Sequence, residues 1–153
     1  MAAWSYGEDV RRLTFLALAV MLAGCSATPD PAPPPSPTPS PSCPASAELS
    51  AAEQQGNGSN VTLWALFFAQ RVTVGQELKV AWRMTGSGDF AMTAAGPGGA
   101  ELKPSWGPEA HSGSTFRKPG EEWGTGWVFP AAGCWTFTAS RGADSARLAI
   151  RVG

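Results

Sequence analysis

The chain has 153 residues, and its 11 Lys and Arg against 12 Asp and Glu give a formal net charge of −1. This balance excludes both a basic field that would attract nucleic acid and a strongly acidic field that would attract cations. Hydrophobic residues make up 43% of the chain, and the 18 Gly and 14 Pro are typical of an all-β protein with many turns.

The first 24 residues have the arrangement of an export signal. Two arginines precede the apolar run 13–23, which is long enough for the core of a signal peptide. It is too short to span a bilayer, since that takes about 20 apolar residues. The tetrapeptide LAGC at 22–25 resembles a bacterial lipobox, in which the chain is cut before the cysteine. The sequence therefore predicts a lipoprotein signal peptide over 1–24 and a lipid on Cys25.

A lipid on Cys25 would hold the mature chain on the outer, extracytoplasmic face of a bacterial cell membrane. Two acyl chains suffice for stable anchoring, because each buried methylene contributes about 0.8 kcal/mol. Membrane lipid is thus the first predicted partner. An ordinary secretory signal and an uncleaved anchor are the alternatives. Because Glu8 and Asp9 are acidic where a signal is normally basic, the start of translation at Met1 or at Val10 also stays open.

A proline-rich linker follows the lipobox. Nine of the 17 residues in 28–44 are proline, separated mainly by Ser, Thr and Ala. Such a composition forms no packed core and favours extended polyproline II structure. At about 3.1 Å per residue it would reach roughly 50 Å. We therefore predict a disordered stalk, with residues 25–44 as the lipidated linker and 45–153 as a single folded domain.

Once Cys25 carries lipid, Cys43 and Cys134 are the two cysteines that remain. Outside the cytoplasm, such a pair usually oxidises. A bridge between them would close a loop of about 90 residues and stabilise the fold by about 4–5 kcal/mol in the chain-entropy model. The two lack the Cys-x-x-Cys spacing of redox motifs, so we predict a structural disulfide.

Residues 45–153 contain short strand patterns separated by turns every 8–12 residues, which predicts an immunoglobulin-like β-sandwich of about seven strands. The continuous apolar run 61–69 indicates a strand buried on both faces, although periodicity alone leaves a helix open. Residues 104–121 are rich in Pro, Gly and Ser and are predicted to form a long loop. Further strands are predicted at 76–85, 90–95, 122–129, 134–140 and 147–152. In 76–85 the residues Leu78, Val80, Trp82 and Met84 share one face and alternate with Glu77, Lys79, Ala81 and Arg83 on the other.

Two segments of this domain resemble a group of bacterial secreted and lipid-anchored Ig-like proteins. FPAAGCW at 129–135 resembles the C-terminal FPxxGCW segment of those proteins, and SCP at 42–44, GNG at 56–58 and LW at 63–64 resemble their opening. The resemblance implies an extracytoplasmic Ig-like domain and supports the pairing of the two cysteines. It implies no particular activity, and it does not cover residues 106–126.

A polar stretch between residues 106 and 127 is the best candidate for a ligand surface. Tryptophans beside Gly, Glu and His could stack sugar rings and bond their hydroxyls, which is what a small-ligand site requires. The alternative is that Trp106, Trp123 and Trp127 fill the core, where most tryptophan surface is found. The residues of the predicted surface are Trp106, Glu109, His111, Glu122 and Trp123.

Two further function classes have less support. Met84, Met92 and His111 are ligand types that bind copper, but they are widely spaced, and Met commonly fills gaps in cores. A hydrolytic enzyme has little support, because the single histidine has no triad motif near it. Glu121 and Glu122 would point to opposite faces of a strand and could not act together.

We therefore predict a binding or structural module at the bacterial cell envelope. The predicted partners, besides lipid, are an envelope glycan or a membrane protein. We expect no enzymatic activity, no cofactor and no nucleic-acid partner. A glycan-binding module is the main alternative, followed by a copper-handling protein and a hydrolytic enzyme.

Overall fold

The computed structural model describes residues 42–153. The predicted signal peptide, Cys25 and most of the predicted stalk lie outside this range. The regular structure of 42–153 is β, apart from one 3₁₀ turn at Pro97–Gly99. No helix in this part of the chain is long and apolar enough to cross a membrane.

Two antiparallel five-stranded sheets pack against each other, which confirms the predicted β-sandwich. Sheet 1 has the order β1-β3-β4-β8-β7, and sheet 2 has the order β2-β10-β9-β5-β6. The strands are β1 (Glu53–Gln55), β2 (Asn57–Gly58), β3 (Leu63–Phe67), β4 (Glu77–Met84), β5 (Phe90–Ala95), β6 (Glu101–Leu102), β7 (Trp106–His111), β8 (Glu121–Val128), β9 (Gly133–Arg141) and β10 (Asp144–Val152). The prediction of about seven strands missed β1, β2 and β6, which have only two or three residues each, and it also missed β7.

Strand β4 shows how the sequence pattern produces the core. Leu78, Val80, Trp82 and Met84 are all buried, as their alternation predicts, because successive residues of a strand face opposite sides of the sheet. Between the sheets, Trp82 and Trp127 contact Phe137 edge-on, with ring centroids 5.0 and 4.9 Å apart. Aromatic residues thus supply much of the apolar surface whose burial stabilises the domain.

A buried threonine organises the centre of this core. The Thr125 hydroxyl oxygen accepts the indole N–H of Trp82 at 2.7 Å and that of Trp127 at 2.8 Å. A buried polar group without a partner would cost free energy, so this pairing lets two tryptophans lie fully inside the sandwich.

The apolar run 61–69 forms a strand, β3, but the prediction that both of its faces are buried is wrong. Leu63, Ala65 and Phe67 are buried, whereas the alternate residues are half-buried and Phe68 is 58% exposed. The run is continuous in hydrophobicity because these alternate residues belong to the outer face of sheet 1.

The predicted loop 104–121 is wrong at its start, where β7 pairs with β8 at the edge of sheet 1. A β-bulge between Trp106 and Glu109 interrupts the register, and Gly107 has a φ of +80°. Edge strands tolerate Pro, Gly and bulges, so β7 lacks the alternation that identifies a strand.

Strand β10 also begins at Asp144, three residues before the predicted start.

Cys43 and Cys134 lie at disulfide distance, as predicted, with 5.8 Å between their Cα atoms and a sequence separation of 91. Cys134 belongs to β9, the penultimate strand. The Arg151 Nε donates a hydrogen bond of 2.6 Å to the Pro44 carbonyl. Cys43 and Pro44 are therefore tied to the folded body, slightly ahead of the predicted boundary at residue 45.

Candidate binding face

Strand β8 has two unlike faces. Trp123, Thr125 and Trp127 point toward sheet 2, and the residues between them point outward. Gly124 lies opposite Ala81 and Gly126 lies opposite Lys79 in the register with β4. In the middle of the outer face of sheet 1, Gly124, Gly126 and Ala81 therefore form a shallow depression. Larger side chains from the neighbouring strands can pack into it.

The indole of Trp106 lies flat in this depression. A Cβ built on Gly126 would come within 2.5 Å of Trp106 Cδ1 and 2.6 Å of Cε2, and closer still to Nε1. Three atoms of one ring at similar distances indicate that the ring plane is parallel to the sheet. Gly126 is thus required for close approach. The other side of the indole is directed outward, and the Trp106 side chain as a whole is half-buried.

The bulge in β7 places His111 on the same face as Trp106. In a regular strand, residues five apart such as Trp106 and His111 would point to opposite faces. The extra residue of the bulge brings both side chains to the outer face of sheet 1. A Cβ on Gly124 would lie 3.0 Å from His111 Nε2 and 3.4 Å from the Trp106 ring, so both side chains meet over this glycine. Glu109 lies opposite Gly124 in the register, on the same side of the sheet, and is exposed.

Polar groups of both signs surround the indole. Trp106 Nε1 donates to Glu77 Oε1 at 3.1 Å, and the Ser105 hydroxyl donates to the same oxygen at 3.3 Å. The Lys79 ammonium lies 5.9 Å from the Trp106 ring centroid and 5.4 Å from that of Phe68. We call Trp106, Glu77, Lys79, Gly124 and Gly126 the Trp106 platform.

The other end of the outer face is covered by residues 112–120. Arg83 donates hydrogen bonds to the Phe116 carbonyl at 2.5 Å and, from Nη2, to the Gly120 carbonyl at 2.8 Å. Glu122, only 7% exposed, accepts a hydrogen bond from the Ser114 hydroxyl and lies 3.8 Å from the Arg83 guanidinium. Buried charges are tolerated when they are paired in this way.

A second ion pair closes the same end. The Lys118 ammonium lies 4.2 Å from the Trp64 ring centroid and 2.7 Å from the Glu53 carboxylate. Trp64 and Trp106 are both half-buried, but the cation beside Trp64 is closer to its ring and is held by Glu53, whereas Lys79 beside Trp106 has no ion-pair partner within residues 42–153. The outer face of sheet 1 thus has a closed end around Trp64 and an open end around the Trp106 platform.

Trp123 lies on the inner side of the sheet. It stacks on Phe90 with 4.1 Å between ring centroids, and the Arg141 guanidinium lies 4.9 Å from its ring. Arg141 also donates to the carbonyls of Met84 and Gly88 and pairs with Glu121. This arginine closes one end of the sandwich, a role that nothing in the local sequence pattern indicated.

The predicted ligand surface is thus only partly brought together. Trp106, Glu109 and His111 share the outer face, whereas Glu122 is used to hold residues 112–120 and Trp123 packs between the sheets. Glu77, Lys79 and Phe68 were missing from the prediction. The alternation of 76–85 already placed Glu77 and Lys79 on the polar face of β4, but only the pairing of β4 with β8 brings them to the indole.

The three candidate copper ligands do not converge. Met84 and Met92 are buried in the core, and His111 is exposed on the outer face. Within residues 42–153, no group of three or more His, Cys, Asp or Glu could hold a metal ion. Glu121 and Glu122 have different partners, Arg141 and Arg83, on opposite sides of β8.

Comparison with known proteins gives no relative for this chain. Neither a family model, nor a curated protein, nor a solved structure matches it. Its function is therefore inferred from the residues and geometry described above.

Proposed function

We propose that this protein is a lipid-anchored, extracytoplasmic binding module of the bacterial cell envelope. In this proposal, Cys25 carries the lipid, the proline-rich segment is the stalk, and the β-sandwich presents the outer face of sheet 1 to its ligand. The single observation that carries the binding role is the seating of the Trp106 indole on Gly126. It leaves a flat aromatic surface with polar groups at its rim, which is the composition of a ligand site.

An immunoglobulin-type topology is part of the proposal. If β3, β4, β8 and β7 are labelled strands A, B, E and D, and β5, β9 and β10 are labelled C, F and G, the sheet order is that of an immunoglobulin domain. The disulfide departs from the antibody pattern, because it joins strand F to the segment ahead of strand A rather than to strand B. The strand order supports the resemblance to bacterial secreted Ig-like proteins.

The lipid anchor is tested directly by metabolic labelling. A bacterium that makes the chain is fed an alkyne analogue of palmitate, and the purified protein is examined for incorporated label. We expect label on the chain and none on Cys25→Ser. Label retained by Cys25→Ser, or no label on either protein, would contradict the proposed anchor.

The binding role is tested by sedimentation with envelope material. The full chain, kept in detergent so that its lipid does not partition into membranes, is mixed with the detergent-insoluble envelope of the same bacterium. We expect it to sediment with the envelope, and Trp106→Ala to be retained at least tenfold less.

Two controls make this experiment specific to the open end. Glu53→Gln changes the ion pair at the closed end of the same face and should sediment like the unaltered chain. Unfolding midpoints of all variants should agree within a few degrees. Equal retention of Trp106→Ala and the unaltered chain would contradict the proposed binding face.

A further inference from the structure

We infer that the ligand of the Trp106 platform is a neutral glycan, whose pyranose ring stacks on the open side of the indole. This inference rests on the proposed function, since it names the ligand class of the same face. The C–H groups on one side of a pyranose carry partial positive charge and are attracted to the negative face of an aromatic ring. The side of the indole away from Gly126 is the face that would take the sugar, with the Lys79 ammonium 5.9 Å from the ring centroid.

The polar groups at the rim suit hydroxyls rather than a charged group. The Glu77 carboxylate bonds the indole N–H through Oε1, and Oε2 makes no hydrogen bond within residues 42–153. Lys79 is exposed and has no ion-pair partner in the same range. One acceptor and one donor beside a flat ring match a sugar, whose hydroxyls both donate and accept.

Charge balance argues for a neutral chain. Glu77 and Lys79 have opposite signs and lie two residues apart on the same face of β4, so their fields largely cancel at the indole. The next charged group on this face is the exposed Glu109, which would repel an anionic polymer. The remaining cations of the face, Arg83 and Lys118, are held at the closed end by Glu122 and Glu53.

The ligand class is tested on envelope material treated in two ways. One portion is digested with a broad-specificity protease, which removes proteins and leaves polysaccharide. A second portion is oxidised with periodate, which cleaves the carbon–carbon bond between vicinal hydroxyls and yields two aldehydes and iodate. We expect the full chain to sediment with the digested envelope. The oxidised envelope should retain it at least tenfold less.

The inference that the ligand is uncharged is tested by varying the salt concentration. Retention on digested envelope should change less than about twofold between 0.05 and 0.5 M sodium chloride, because screening weakens only interactions between charges. Lys79→Met should weaken retention severalfold with an unchanged unfolding midpoint, and Lys79→Arg, which keeps a donor, should weaken it less.

The outcomes separate this inference from the function on which it rests. If protease abolishes retention and periodate does not, the ligand is a protein and the glycan is overturned, although the binding face stands. A steep loss of retention with salt would overturn neutrality in the same way. If the untreated envelope retains the chain and Trp106→Ala equally, the proposed binding face itself fails.

Discussion

The two faces of β8 use tryptophan in opposite ways. On the inner face, Trp127 is fully buried, contacts Phe137 and donates its N–H to Thr125. On the outer face, Trp106 from the neighbouring strand rests one side of its ring on Gly126, and its side chain is only half-buried. The same residue type thus stabilises the fold when it is enclosed and forms a surface when only one side of its ring packs on the protein.

Truncation of the two tryptophans should separate these roles most strongly. Trp127→Ala leaves a cavity between the sheets and should lower the free energy of unfolding by about 3–5 kcal/mol. Trp106→Ala removes a ring that is packed on one side and should cost about 1 kcal/mol or less. Denaturant unfolding of the full chain in detergent measures both. A larger loss of stability for Trp106→Ala than for Trp127→Ala would contradict the assignment of Trp127 to the core and Trp106 to the surface.

Loss of the inner acceptor should have the next largest effect. Thr125→Val removes the acceptor of both Trp82 and Trp127, and each buried N–H left without a partner costs about 1–3 kcal/mol. We expect the free energy of unfolding to fall by about 2–4 kcal/mol in the same assay. Thr138→Val in β9, which is half-buried, is the matched control and should change it by less than about 0.5 kcal/mol. If Thr125→Val and Thr138→Val lower the free energy of unfolding equally, the Thr125 hydroxyl does not stabilise the core through its two hydrogen bonds.

On the outer face, a single methyl group should remove the platform without unfolding the protein. Gly126→Ala puts a Cβ into the Trp106 ring, which must lift or swing away. We expect a change in stability of about 1 kcal/mol, since the side chain that moves is half-buried and lies on the outer face of the sheet. Envelope retention should fall at least tenfold.

Val128→Ala is the control for Gly126→Ala. It alters the same face of β8 two residues further along, where the side chain is 39% exposed, and leaves the seat of the indole intact. Its retention should equal that of the unaltered chain. Full retention by Gly126→Ala would mean that the flat seating of the indole has no part in binding.

The smallest effect is expected at the rim. Glu77→Ala removes the acceptor of the Trp106 N–H and should change stability by less than about 0.5 kcal/mol. Retention should fall severalfold because the ring is no longer fixed in its plane. Glu77→Gln keeps an acceptor oxygen and should bind more tightly than Glu77→Ala. If the two variants bind equally, the hydrogen bond does not position the indole.

Local pattern was sufficient for the strands that face the core. Residues 76–85 alternate between large apolar and mainly polar side chains, so the prediction placed Trp82 and Met84 inside correctly. It failed at β7 because Gly107, Pro108 and a bulge erase the period of two. The both-face burial predicted for 61–69 failed because a hydrophobic run does not reveal which of its faces has another sheet above it.

The candidate site was less accessible to prediction for a physical reason. Trp106, Glu109 and His111 could be named as residue types suited to binding, but their common face depends on one extra residue in β7. The seat of the indole is made by Gly126, and its bond is made by Glu77, which lies 29 residues earlier in the chain. Such non-local pairings follow from strand register, which the spacing of residues within one segment does not specify.

Hydroxyl-radical footprinting of the full chain, with and without detergent-insoluble envelope, tests the central claim that the open end of the outer face of sheet 1 binds the envelope. Mass spectrometry measures the oxidation of Trp106 and Phe68, with Leu102 on β6 of the other sheet as the reference. We predict that envelope lowers the oxidation of Trp106 and Phe68 severalfold and leaves Leu102 unchanged. Unchanged oxidation of Trp106, or protection of Leu102 alone, would contradict this account.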